Sequence, residues 1–134
     1  MSTSKITYKN NLRTEAQHIA SGQKIITDAP LDNNGKGEAF SPTDLVATAL
    51  ASCMITIMAI AAEKNGINIS ETSASVKKIM GTNPRTISDI VIEIKMSKDL
   101  ALKDRKRLEK AALACPVHKS LHPDMNKKIT FSYI

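Results

Sequence analysis

Tryptophan is absent from this 134-residue chain, and two tyrosines with two phenylalanines make up its aromatic content. So few rings leave little for a nucleic-acid surface built on base stacking. Cysteine is as scarce, with only Cys53 and Cys115. The start, Met1 to Tyr8, is polar and carries no apolar leader run. The expectation is a cytoplasmic, reducing setting, where the thiols stay free unless they do redox or metal work. Repeats and low-complexity segments are also lacking. The net charge of +6 raises the question of nucleic acid. Its lysines and arginines are scattered, however, apart from Lys103, Arg105, Lys106, Arg107 and Lys110 on one expected helix. A solvated helix face is the simpler reading of that cluster, so no nucleic-acid partner is expected.

Long hydrophobic runs are missing with one exception, the uncharged stretch from Leu45 to Ala62. Ser41 suits an N-cap, Pro42 the first helical position, and Asp44 completes a Ser-x-x-Asp capping box. Asn65-Gly66 supplies the C-terminal stop. The run just reaches the length of a membrane span, but its six alanines plus Thr48, Ser52 and Thr56 make it weakly apolar. A central helix buried nearly all round in a water-soluble protein is expected, with no membrane partner.

Around that helix the patterning is mostly that of strands. Lys5–Tyr8, Leu12–Ile19 and Gln23–Thr27 read as an opening antiparallel set, with turns at Lys9-Asn10-Asn11 and Ser21-Gly22. Asp28 to Ala39 is a long loop, and loops of that length are often functional. After the helix, a strand falls within Ile67–Met80, with Ala74, Val76 and Lys78 on one face. Another covers Ile87–Met96, with Ile90, Ile92, Ile94 and Met96 on one face. Ala101–Ala114 reads as an amphipathic helix with Leu102, Leu108, Ala111 and Ala112 inward. Val117–His122 is a short helical piece, and Lys128–Ile134 a closing strand. The order implies one α+β domain over residues 1–134, an antiparallel sheet wrapped around a long buried central helix. One sheet covers only one side of such a helix, so a homodimer is expected.

The two thiols differ in setting. Cys53 is mid-helix, where desolvation disfavours a thiolate unless a cation is brought to it. Cys115 precedes Pro116 and reads as an N-cap, where free N–H groups stabilise a thiolate. Both are equally readable as small buried hydrophobes. Two further readings remain open: a metal held by Cys115, His118 and His122 with Cys53, and a Cys53–His118 nucleophile–base pair.

The segment SPTDLVATALASC (Ser41 to Cys53), followed later by ACPVHKSL (Ala114 to Leu121), resembles the OsmC/Ohr family of osmotically inducible and organic hydroperoxide resistance proteins. LRTEAQH, SGQ and TDAP, between Leu12 and Pro30, resemble its OsmC-like branch. The resemblance implies an intertwined α+β homodimer with active sites at the subunit interface. It also implies thiol-dependent reduction of organic hydroperoxides, recycled by a small dithiol, with no metal or other cofactor. Cys53 would attack the peroxide and become a sulfenic acid, and Cys115 would resolve it to a disulfide. Arg13 would supply the cation that activates the interior thiol. In the peroxidase branch a glutamate follows the proline of the central-helix motif and pairs with that arginine. Here that position is Thr43, which leaves Asp44 and Glu38 as the candidate activating or positioning carboxylates. The alternative is a non-catalytic dimer of the same fold that binds a small ligand in a redox or stress response.

Overall fold

Alternating strands, a capped apolar helix and a second amphipathic one form in the order the patterning indicates. In a computed structural model, which describes residues 1–134, the elements are β1 (Ser4–Tyr8), β2 (Arg13–His18), β3 (Lys24–Asp28), a 3-10 turn (Leu31–Asn33), α1 (Pro42–Lys64), β4 (Ser73–Met80), β5 (Ile87–Met96), α2 (Leu102–Leu113), α3 (Pro116–Ser120) and β6 (Asn126–Tyr133). The architecture is α+β, with two three-stranded sheets and one long helix. Two compact units divide the chain, Met1–Val46 and Ala47–Ile134.

The first unit holds the antiparallel sheet β1-β2-β3. Its β1–β2 turn places Asn10, Asn11 and Leu12 in succession in the left-handed region, at φ of 71°, 58° and 61°. Asparagine tolerates that region, whereas leucine is uncommon there. The β2–β3 pairing sets Gln17 opposite Lys24, which centres the turn on Ala20 and Ser21 rather than on Ser21-Gly22. The shifted register is what brings Asp28 across from Arg13. The loop that follows folds back tightly on itself: a Cβ on Gly35 would lie 1.8 Å from the Ala29 carbonyl oxygen, so only glycine fits. This unit buries Thr27, Asp28 and Ser41 and no apolar residue, while Ile6, Tyr8, Leu12, Ile25, Ile26 and Phe40 are exposed.

The second unit carries the core. Ile90, Ile92, Ile94 and Met96 of β5 are buried as the alternation predicts, and they cluster with Leu50, Met54 and Met58 of α1 and Leu108 and Ala112 of α2. Cross-strand rows Val76–Ile92–Ile129 and Ala74–Ile94–Phe131 extend the apolar face across β4, β5 and β6. The sheet is not wholly antiparallel: β6 runs parallel to β5. The connection between them contains α2, and a strand returning after one helical crossover runs parallel to its predecessor.

The helices bear on three further expectations. The long helix does form, and Ser41 and Asp44 do close the capping box: the Ser41 N–H donates to Asp44 Oδ2 at 3.0 Å and the Asp44 N–H to Ser41 Oγ at 3.0 Å. It buries a stripe rather than its whole circumference, comprising Ala47, Leu50, Ala51, Met54, Met58 and Ala62. Ala49, Ser52, Thr56 and Ile60 remain exposed on the opposite side, because one sheet and its helices cover one side of a cylinder. By length and composition α1 is also apolar enough to cross a membrane. In α2, Leu108 is inward but Leu102 is 73% exposed. Leu102 is the first helical residue, a turn before the stripe that packs. Nor is the basic cluster on α2 uniformly solvated. Arg105 lies 4.1 Å over the Tyr133 ring and donates to the Leu100 and Lys98 carbonyls, and Arg107 donates to Asn65 Oδ1.

Candidate thiol site

Both cysteines belong to the second unit and both are free thiols. α1 carries Cys53 beside its buried stripe, so the side chain packs on the core while remaining partly exposed. Cys115 sits where α2 ends and α3 begins and is fully buried. Pro116 starts α3, and Cys115 is its N-cap, as the sequence indicates. The Cys115 Sγ accepts the His118 N–H at 3.3 Å. The two thiols are neighbours: both belong to the core cluster, and Cys53 acts on the Cys115 thiol. Burial pushes the Cys115 thiol up, the His118 amide opposes that, and the neighbouring Cys53 raises it further.

The histidines do something else. His118 gives its backbone amide to the thiol; burial, then Lys127 and Lys119, hold its imidazole below the usual histidine range and therefore neutral at pH 7. The exposed His122 ring nitrogen Nδ1 accepts the Asp124 amide at 3.0 Å. No trio of histidine, cysteine or carboxylate side chains converges as a metal site requires.

A second cluster of titratable groups lies in the first unit and is built on Arg13. Its Nε donates to Asp28 Oδ1 at 2.7 Å and its Nη2 to Asp28 Oδ2 at 2.9 Å, a bidentate pair on a carboxylate that is completely buried. The same Nη2 donates to Glu38 Oε1 at 3.2 Å, and the Glu38 amide donates to Asp28 Oδ2 at 3.1 Å. Arg13 hydrogen bonding holds the Asp28 carboxyl below the usual carboxylate range, and Asp28 in turn raises the guanidinium. Glu38 is thus a partner of Arg13, as anticipated, while Asp44 serves the α1 capping box. Asp28 was not among the residues the sequence singled out. The signal for it was the hairpin register, which a turn assigned to Ser21-Gly22 places wrongly.

A cleft of about 570 Å³ in the second unit, lined by residues that include Asn68, Glu71, Thr72, Asp99 and Asp104, contains neither thiol.

The family model described as OsmC-like protein matches residues 35–130, a span that holds both cysteines. A crystal structure from Psychrobacter arcticus 273-4, provisionally described as an osmotic stress induced and detoxification response protein, is 52% identical to this chain. It superposes with a TM-score of 0.94, over 98% of this chain and 96% of that one. The fold is also that of an organic hydroperoxide resistance protein OsmC from Legionella pneumophila, with 17% identity, a TM-score of 0.73 and coverage of 98% and 96%. An organic hydroperoxide resistance protein from Elizabethkingia anophelis shares it too, with 15% identity, a TM-score of 0.77 and coverage of 100% and 98%. No curated protein matches. With most of its length matched by the family model and a crystal structure at half identity over almost the whole chain, this protein belongs to the OsmC-like family.

Proposed function

We propose that this chain is a two-cysteine peroxidase of organic hydroperoxides. The observation that carries the reading is the placing of Cys53 and Cys115, remote in sequence, in one core cluster where the first thiol acts on the second. The Cys53 thiolate attacks the distal peroxide oxygen and breaks the O–O bond; the alcohol leaves, and Cys53 becomes a sulfenic acid. Cys115 then attacks that sulfur, water departs, and an intramolecular disulfide remains for a dithiol to reopen. Membership of a family whose members include organic hydroperoxide resistance proteins supports a role in redox and stress response. Arg13 is assigned the activating charge. Its Nε and Nη2 are engaged by Asp28 and Glu38, so the carboxylate support that the peroxidase branch draws from the position of Thr43 comes here from the strand end and loop.

The test is stoichiometric. Reduced protein treated with cumene hydroperoxide is expected to lose both thiols to an intramolecular disulfide far faster than free cysteine reacts. Thiols that react no faster than free cysteine would refute a peroxidase and favour a ligand-binding role.

The partner we propose is a second copy of the chain. Two features support it: a three-stranded sheet with no buried apolar residue, and a long helix with an exposed side. One face of that sheet carries the row Ile6–Ala16–Ile25, with Ile6 59% and Ile25 50% exposed.

A further inference from the structure

We propose that the reductant which recycles this site enters only through the sulfur of Cys53, and that Cys115 is always the leaving thiol. The inference rests on the Cys53–Cys115 disulfide of the reading above and adds a direction to its reopening. A thiolate opens a disulfide by approaching one sulfur roughly along the S–S axis, so access decides which sulfur is attacked. The two sulfurs here are unequal. Cys115 has no exposed surface, packed in the core cluster at the α2–α3 junction, with the His118 amide on its sulfur. Cys53 lies on α1 next to the exposed side of that helix and is itself partly open. Association with a second copy adds cover and cannot expose Cys115, whereas Cys53 must stay reachable for the peroxide that the reading above brings to it.

The exchange balances as follows. One thiolate of a small dithiol attacks Cys53 Sγ and forms a mixed disulfide. The Cys53–Cys115 bond breaks, and its electron pair goes to Cys115 Sγ, where the His118 amide receives the developing charge until a proton is taken up. The second thiol of the reductant then attacks its own first sulfur, releasing Cys53 as a thiolate and leaving the reductant as a cyclic disulfide. A monothiol has no second sulfur of its own. Cys115, held against Cys53, reverses its attack faster than another molecule arrives.

The experiment starts from the disulfide form made with diamide, so that it does not depend on peroxide turnover. Glutathione is added as a monothiol probe in a molar excess large enough to hold a mixed disulfide against reversal by Cys115, and the reaction is stopped early in acid. The products are alkylated in mildly acidic denaturant and mapped by peptide mass spectrometry. The expected map places glutathione on Cys53 and the alkyl group on Cys115; the reverse overturns the proposal. As a second measurement, reduced native protein is labelled with iodoacetamide. Cys115 should label at least roughly a hundredfold more slowly than Cys53, the protection expected when a buried group reacts only through local opening. Equal rates would refute the asymmetry without touching peroxidase activity. Bridging by diamide but not by peroxide would refute the peroxidase reading, and the map would still decide this one. Failure of diamide to bridge the pair would end both.

Discussion

Arg13 grips both carboxylate oxygens of Asp28 across the β2–β3 pair, at 2.7 and 2.9 Å, and Asp28 is buried while the arginine is 29% exposed. Because the carboxyl is held below its ordinary range, the pair stabilises the fold above the unfolded-state value and loses that stabilisation as pH falls through the folded one. The loss should fall below about pH 4. Urea unfolding followed from pH 5 to pH 2 should show stability dropping with acid in the wild type, with Asp28→Asn less stable at pH 7 and less acid-sensitive. Identical acid slopes would remove Asp28 from the account.

Arg13 is expected to serve reactivity as well as structure. Arg13→Lys keeps a charge but loses the planar fork that binds one carboxylate through two nitrogens. Peroxide-dependent oxidation of Cys53 should slow by at least roughly tenfold, the scale at which charge positioning affects a reacting thiol. Diamide also reacts with the thiolate, so its reaction should slow by a similar factor. An unchanged rate with both oxidants would remove Arg13 from the site.

Cys53→Ser should abolish peroxide turnover, and Cys115→Ser should leave Cys53 as a trapped sulfenic acid, detectable with dimedone. The serine at position 115 still caps α3, so unfolding stability should stay within about 1 kcal/mol of wild type, whereas Cys115→Ala removes the acceptor and costs about 1 kcal/mol for the cap alone. Equal losses would show that the sulfur does not act as a cap.

Two leucines on one helix give a packing test. Leu108 is fully buried and Leu102 is exposed. Leu108→Ala should cost about 3 kcal/mol and Leu102→Ala no more than about 0.5 kcal/mol, measured by urea denaturation.

Association should fail when the sheet row is charged. Ile25→Lys, alone or with Ile6→Lys, is expected to shift the protein from dimer to monomer in sedimentation equilibrium. A wild type that is already monomeric would refute the proposed partner.

Much of the fold could be read from the chain because local signals and burial agreed. Ile90, Ile92 and Ile94 of β5 alternate and lie inside, and Ser41, Pro42 and Asp44 mark the start of α1 as a capping box does. The direction of β6 was misread because its own residues do not encode it; the crossover through α2 does. Cys115 was legible as a cap through Pro116, yet its meeting with Cys53 is a tertiary fact that spacing could not supply. Asp28 went unnoticed for a smaller reason, a turn centred one residue away.

The lack of any buried apolar side chain before Ala47 bears on how the chain is made. These hairpins leave the ribosome before the segments that build the hydrophobic interior, and have nothing of their own to collapse upon. Early biogenesis therefore leaves a sticky, unconsolidated ribbon waiting for its cover, and a truncated product ending near Val46 should be cleared by proteases rather than accumulate.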